Sequence, residues 1–114
     1  MSIETRLADL EARLSATEAR LRVAEDHLEI TRLLTSYGPA VDSCASHEAA
    51  RLWASEGAYD VGGIHRAMGR KAIAKLYQAP HHVGLTQQGS SHLTATPRIT
   101  VDGDRAEAVA YSFV

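Results

Sequence analysis

The chain has 114 residues, with 12 basic and 14 acidic side chains and a net charge of −2 when histidine is neutral. Hydrophobic residues make up 45% of the chain and charged residues 23%, an ordinary composition for one globular domain. The charge balance excludes a strongly basic nucleic-acid-binding protein, and no stretch has the ~20 apolar residues of a membrane span. Cys44 is the only cysteine and has no partner for an internal disulfide. We therefore expect a cytoplasmic protein whose partners are neither nucleic acid nor a membrane.

Residues 1–28 carry a heptad pattern that is typical of a coiled-coil helix. The spacing between apolar residues alternates between four and three, and Thr17 and Ala24 occupy the two remaining positions. The apolar residues of this seam are Ile3, Leu7, Leu10, Leu14, Leu21 and Leu28. The first 28 residues are therefore predicted to form a separate helical segment for association between chains.

Charged residues flank the seam in an order that favours parallel association. One flank, heptad position e, carries Glu4, Glu11, Glu18 and Glu25; the other, position g, carries Arg6, Arg13, Arg20 and His27. In a parallel coiled coil each g residue faces the following e residue of the neighbouring chain, so arginine meets glutamate. Antiparallel helices would bring like charges together. We expect a parallel homodimer or trimer; the alternative is a single amphipathic helix that packs on its own domain.

Residues 29–114 are predicted to form one α+β domain. Its elements are, in order, a helix with an apolar stripe over 30–41, a helix over 46–54, a strand over 58–61, a helix over 69–77, a loop over 79–90, and strands over 92–101 and 106–114. Gly38-Pro39 is expected to bend or end the first helix, and Ser46 to cap the second. Asp102-Gly103-Asp104 indicates a hairpin turn, and Pro97 a bulge or an edge position.

The last predicted strand is apolar up to its end, Tyr111-Ser112-Phe113-Val114. A sheet of two or three strands would leave such an edge exposed, which proteins normally avoid. We therefore expect further strands or another chain to cover it.

The segment from about residue 26 to residue 114 resembles the SnoaL-like branch of the nuclear-transport-factor-2-like (NTF2-like) superfamily. The resemblance lies in the order and spacing of several short motifs: Leu28-Glu29-Ile30, Tyr37-Gly38-Pro39-Ala40-Val41-Asp42, Leu52-Trp53, Gly69-Arg70, Ser91-His92-Leu93-Thr94 and Ile99 to Ala106. It implies a cone-shaped α+β barrel, in which a strongly curved mixed or antiparallel sheet wraps around helices and encloses a pocket. The family normally has two further long strands after the position of Val114, so the last strands are expected to be absent here.

The dehydratase and dehydrochlorinase branch of this family is the most similar, and the resemblance implies a site. In that branch an Asp on the first long helix orients a His on the sheet, the His takes a proton from carbon, and a Tyr helps to bind the leaving oxygen. The matching catalytic residues here are Asp42, His92 and Tyr37. The implied substrate pocket is lined by Trp53, Tyr59, Leu34 and Val41. The resemblance implies no cofactor and no metal.

Such a set suits elimination for chemical reasons. Histidine titrates near neutral pH and serves as the base. A carboxylate beside it fixes the tautomer and stabilises the imidazolium that forms, and a phenol in an apolar pocket donates a hydrogen bond to the departing or enolising oxygen. Each residue also has a structural interpretation. Asp42 can be a solvated residue at a helix end, His92 can lie on the sheet face away from the pocket, and Tyr37 can be a core residue.

The functional prediction is therefore a dehydratase-like lyase or an isomerase that acts on a small apolar or aromatic molecule, polyketide-like or steroid-like, without a cofactor. A non-catalytic ligand-binding or oligomerisation module is the alternative. His81-His82 is the one pair that suggests a metal ligand set. Adjacent histidines rarely bind one ion together, and no cysteine or carboxylate cluster accompanies them, so no metal site is predicted.

Overall fold

The computed structural model describes residues 2–114, apart from the side chain of His65. Four helices and six short strands follow one another along these described residues. They are α1 (Ile3–Asp42), α2 (Ser46–Arg51), β1 (Ala58–Val61), β2 (His65–Met68), α3 (Gly69–Gln78), α4 (Pro80–Gln87), β3 (Leu93–Thr94), β4 (Arg98–Asp102), β5 (Arg105–Val109) and β6 (Ser112–Phe113). The fold is α+β, as predicted.

Helix α1 is 40 residues long and joins the predicted N-terminal segment to the domain without a break. Ser2 caps it, because its hydroxyl accepts a hydrogen bond of 3.1 Å from the backbone N–H of Thr5. The helix does not end at Gly38-Pro39; it continues to Asp42. Pro39 lies within the last turn, where it removes only one backbone donor, and its own carbonyl accepts a bond of 3.1 Å from the N–H of Ser43.

Helix α2 is shorter than predicted and is not capped by Ser46. The chain turns through Cys44, whose φ of 57° lies in the left-handed region, and the helix begins at Ser46 without a side-chain cap. The Ser46 hydroxyl instead accepts a hydrogen bond of 3.0 Å from the side-chain amide of Gln78. This bond joins α2 to the end of α3, so Ser46 links two helices and does not cap one.

The middle of the chain contains two elements that the sequence pattern did not predict, strand β2 and helix α4. Strand β1 pairs with β2 in an antiparallel hairpin. Helix α3 follows at once and agrees with the predicted helix over 69–77. The predicted loop over 79–90 is wrong, because Pro80–Gln87 forms helix α4. Pro80 occupies the first turn of α4, where a missing backbone N–H costs nothing.

The C-terminal strands form one long antiparallel hairpin in two parts. β4 pairs with β5 and β3 with β6, while the N–H of Ala95 donates to the carbonyl of Tyr111 at 2.8 Å between the two pairs. Pro97 divides the first arm into β3 and β4. Gly103 begins the tight turn with a φ of 58°, as a two-residue hairpin turn requires. The described residues thus form three two-stranded pairs and no closed barrel.

The core is small and lies between the end of α1, helices α2 and α3, and the β1–β2 hairpin. Its buried residues are Val41, Ala49, Ala50, Ala67, Ile73, Ala74 and Tyr77. Strand β4 lies against the preceding part of α1. The apolar residues of the final hairpin arm, including Tyr111 and Phe113, are exposed. One end of α1 is therefore held in a packed domain and its other end is not.

Candidate active site

Asp42 and His92 lie in direct contact where the end of α1 meets the start of β3. The Nδ1 atom of His92 lies 2.6 Å from Oδ1 of Asp42, and the backbone N–H of His92 donates to Oδ2 at 2.8 Å. The hydroxyl of Ser90 donates to Oδ1 at 2.9 Å. Because Nδ1–H donates to the carboxylate, the nitrogen left for a substrate is Nε2.

Gly38 allows this approach of β3 to α1. A Cβ atom at position 38 would overlap the carbonyl oxygen of His92 and would lie 3.3 Å from its carbonyl carbon. Gly38 is buried and stands one helical turn before Asp42. The absence of a side chain at Gly38 therefore lets the backbone of His92 lie against the helix, within reach of the carboxylate.

The pair is shielded from solvent, but not completely. The side chain of His92 is 14% exposed and that of Asp42 is 22% exposed. Burial acts to raise the pKa of Asp42, but the hydrogen bonds from the ring and backbone of His92 and from Ser90 outweigh it, so the pKa is lowered. Asp42 is therefore a carboxylate at neutral pH, as it must be to orient and stabilise a protonated imidazole.

The stabilisation that comes from the Asp42 carboxylate is expected to disappear in acid. Folding lowers its pKa below the ordinary value of 3.8, so these hydrogen bonds stabilise the folded chain fully above that pH. Their contribution is lost as the pH falls through the lowered pKa of the folded state. In urea unfolding near neutral pH, we expect Asp42→Asn to have a lower free energy of unfolding than wild type. The difference between the two proteins is expected to become smaller at about pH 2.

The matched control for this comparison is Asp104→Asn, in the exposed turn between β4 and β5. We expect it to change the free energy of unfolding at neither pH. If Asp42→Asn lowers the free energy of unfolding by the same amount at both pH values, the stabilisation does not come from the ionised carboxylate.

A pocket of about 410 Å³ opens beside the pair. It lies between α1, the β1–β2 hairpin, α3, α4 and the start of β3. The polar and aromatic part of its lining consists of Tyr37, Tyr59, Tyr77, His81, His82 and His92, and the remainder is aliphatic. A cavity of this size and composition suits a small molecule with one or two rings.

Three tyrosines form the aromatic wall of this pocket. Tyr77 stands edge-on to both Tyr37 and Tyr59, with ring centroids 6.2 Å apart in each case. Burial raises the pKa of all three phenols, that of Tyr59 to about 12. The hydroxyl of Tyr77 and the charge of Asp42 raise the pKa of Tyr37 further. The phenols therefore stay protonated at neutral pH and can donate hydrogen bonds to a ligand.

The structure brings together most of the residues that the resemblance implies. Tyr37, Val41, Tyr59 and His92 line the pocket, and the ring of Tyr37 meets that of His92 edge-on with centroids 6.2 Å apart. Asp42 lies directly behind His92. The two other residues implied for the pocket lie outside its lining.

Those two residues are Leu34 and Trp53. Leu34 is half-buried on α1, one turn before Tyr37. Trp53 lies behind the aromatic wall: its ring is 5.2 Å from that of Tyr59, and its Nε1–H donates to the hydroxyl of Tyr77 at 3.1 Å. Trp53 thus holds two tyrosines of the wall in place and does not line the cavity.

Sequence reasoning did not assign three polar groups to the pocket, Tyr77, His81 and His82. The predicted helix over 69–77 includes Tyr77, but the sequence pattern did not indicate that this side chain faces the pocket. His82 lies on the unpredicted α4, where its Nε2 is 3.2 Å from the carbonyl oxygen of Val41 and its ring centroid is 6.3 Å from that of His92. The signal that could have found it was Pro80, because proline is favoured in the first turn of a helix.

The described part of the chain contains neither a metal-binding cluster nor a membrane-spanning helix. No group of three or more His, Cys, Asp or Glu side chains there is arranged to hold a metal ion. None of the helices within residues 2–114 combines the length and the hydropathy of a membrane span.

Comparison with known proteins identifies the domain. A sequence model described as the SnoaL-like domain matches residues 22–114, and one described as the maltoporin periplasmic N-terminal extension matches residues 2–29. The crystal structure of an NTF2-like protein with a cystatin-like fold from Novosphingobium aromaticivorans is 39% identical in sequence and superposes with a TM-score of 0.84. The match covers 87% of this chain and 64% of that protein. No curated protein matched the chain.

The SnoaL-like match includes the end of α1, the pocket and the whole C-terminal hairpin, which is most of the chain. The structural similarity covers 87% of the chain at a TM-score of 0.84. This chain therefore belongs to the SnoaL-like family of the NTF2-like superfamily.

Proposed function

We propose that this protein is a cofactor-independent lyase of the dehydratase type, or an isomerase, that acts on a small apolar or aromatic molecule. The observation that supports this most directly is the contact of Asp42 with His92 at the edge of an aromatic pocket of about 410 Å³. The carboxylate holds one ring nitrogen of His92, so the other is left to act as a base.

The proposed step begins with a substrate whose acidic C–H bond lies against Nε2 of His92. The imidazole takes the proton, and Asp42 stabilises the imidazolium through its hydrogen bond at Nδ1. In an elimination, the electrons of the broken C–H bond form the new double bond, and the bond to the leaving oxygen breaks with its pair. The imidazolium then gives its proton to that oxygen, which leaves as water or an alcohol, and His92 is neutral again. In an isomerisation, the same electrons form an enolate that is reprotonated at another carbon.

Tyr37 is the proposed donor to the oxygen on which negative charge develops. Its phenol is neutral because burial raises its pKa, and its ring contacts that of His92. A neutral donor in an apolar site stabilises a developing oxyanion without first having to lose water. His92 is therefore the proposed base. Asp42 is proposed to orient the imidazole and to stabilise its positive charge, and Tyr37 to donate a hydrogen bond to the oxyanion.

The test uses nitrobenzisoxazole, a bicyclic molecule in which removal of one C–H proton breaks the N–O bond and releases a coloured phenolate. Its elimination requires only a base in an apolar cavity, so the test can be made without knowing the natural substrate. We expect the wild-type protein to accelerate this elimination with saturation kinetics, at a rate above that of free imidazole at the same concentration.

Two results would contradict the proposal. A rate no higher than that of free imidazole would show that the pocket gives His92 no catalytic advantage. Saturable binding of nitrobenzisoxazole without elimination would identify the protein as a ligand-binding module, which is the second function that the sequence allows.

A further inference from the structure

The N-terminal part of α1 exposes an apolar seam that its own chain does not cover. Every residue from 2 to 25 is exposed. The six seam residues retain between 54% and 79% of their accessible surface: Ile3, Leu7, Leu10, Leu14, Leu21 and Leu28. A helix in water without packing contacts is only marginally stable, and its stability comes mainly from burying an apolar face. Packing of the seam against another helix is therefore expected to stabilise the N-terminal part of α1.

The seam lies on the opposite side of α1 from the pocket. Leu28 belongs to the seam and Tyr37 faces the pocket, and their separation of nine residues corresponds to about two and a half turns of helix. Ile30, which is two residues after Leu28, is half-buried towards the domain, whereas Leu28 is 56% exposed. A second helix can therefore pack along the seam without meeting the domain that α1 carries.

The charges beside the seam indicate which partner fits. Between residues that the structure describes, no ion pair joins the e-position glutamates to the g-position arginines of the same chain. A second α1 in parallel orientation and in register brings Arg6 to Glu11, Arg13 to Glu18 and Arg20 to Glu25. An antiparallel copy sets arginine against arginine and glutamate against glutamate, which is unfavourable.

We infer that the seam of α1 packs in parallel and in register against the same seam of a second copy of this chain, as a two-stranded coiled coil. The apolar layers bury against one another, and complementary flanking charges select the orientation. The two domains then lie at the same end of the coiled coil, each on the outer side of its own helix. This inference does not depend on the catalytic proposal.

The first test measures the mass of the full chain in solution by sedimentation equilibrium. We expect wild type to have twice the mass of one chain, and the double variant Leu14→Glu/Leu21→Glu to have the mass of one chain. The matched control is Ala12→Glu/Ala19→Glu, which adds the same charge at heptad positions facing away from the seam and is expected to stay dimeric. The fluorescence of Trp53, the only tryptophan, reports whether each variant keeps a folded domain.

Three results would overturn the inference. A wild-type mass of one chain would remove the interface, and a dimer that survives Leu14→Glu/Leu21→Glu would place it elsewhere. A mass of three chains would overturn the two-stranded arrangement.

The second test determines orientation by disulfide formation in a Cys44→Ser background. In a parallel, in-register pair, a cysteine in place of Leu7 faces its own counterpart, so Leu7→Cys is expected to cross-link almost completely on mild oxidation. Ala12→Cys, on the outer face, is expected to remain largely uncross-linked. In an antiparallel pair, position 7 lies opposite the far end of the seam. A dimer without the Leu7→Cys cross-link would therefore overturn the parallel arrangement.

Discussion

Replacement of His92 by alanine is expected to slow the elimination of nitrobenzisoxazole by about 100- to 10,000-fold, the range over which a positioned general base contributes to a rate. The proposed role gives this side chain the proton abstraction itself. Among the described residues that line the pocket, His92 is the one histidine whose ring is hydrogen-bonded to a carboxylate. The measurement is the initial rate of phenolate release, compared with wild type at equal concentration. Folding is followed by the fluorescence of Trp53.

Added imidazole separates a chemical role of His92 from a structural one. The alanine variant leaves space where the ring was, so free imidazole is expected to restore part of the lost rate in a saturable way. His47→Ala, on the exposed face of α2 and away from this pocket, is the matched control and is expected to keep the wild-type rate. A His92→Ala protein with wild-type activity would refute the assignment of the base.

Asp42→Asn is expected to give an intermediate rate in the same assay. The carboxamide keeps the shape of the side chain and can still accept the backbone N–H of His92, but it does not stabilise an imidazolium. The variant is therefore expected to fall below wild type and above His92→Ala. Activity equal to wild type would show that the carboxylate has no part in the step.

The second large effect is expected from Gly38→Ala, although this residue has no side chain in the pocket. The new Cβ would overlap the carbonyl oxygen of His92, so α1 and β3 must separate. Forcing an extra carbon into a close backbone contact costs about 1–3 kcal/mol of stability and sometimes more. Separation also breaks the Asp42–His92 hydrogen bond, so most of the elimination activity is expected to be lost.

The control for this variant is Gly84→Ala on α4. Gly84 lies inside a helix, and a Cβ there meets no atom within 4 Å. Alanine is the better helix former, so this variant is expected to gain about 0.5–1 kcal/mol. Thermal unfolding of both variants measures the two effects. A Gly38→Ala protein with wild-type stability and activity would show that the close approach of β3 to α1 is not required.

Local signals in the sequence predicted the elements whose formation depends on residues that are close in sequence. The turn at Gly103 needs only the conformational freedom of glycine between two strands, and α3 has an apolar face with helical spacing. Both signals are local, and the structure confirms both predictions. Helix α4 lacks such a face. Its larger apolar residues, Val83 and Leu85, are two positions apart, which is not a helical spacing, so its periodicity gave no indication of a helix.

The candidate site depends on contacts that no local pattern contains. Asp42 and His92 are 50 positions apart, and the resemblance to a known family, not the alternation of residues in the strand, indicated that they meet. Pro97 interrupts that alternation and left the orientation of His92 open. The structure sets it through the approach of β3 to Gly38, a packing effect between distant segments.

The unbroken course of α1 has a geometric consequence for any complex formed at its N-terminal end. In a helix of about 3.6 residues per turn, each residue advances the direction of the side chain by about 100°. A single residue inserted before Asp26 would therefore turn the outward-facing leucines by about 100° relative to the mouth of the cavity, whereas seven inserted residues would nearly restore their alignment. We therefore expect insertions or deletions of seven residues to be tolerated in this segment better than those of one residue, because the continuous helix transmits every change of angle to the domain.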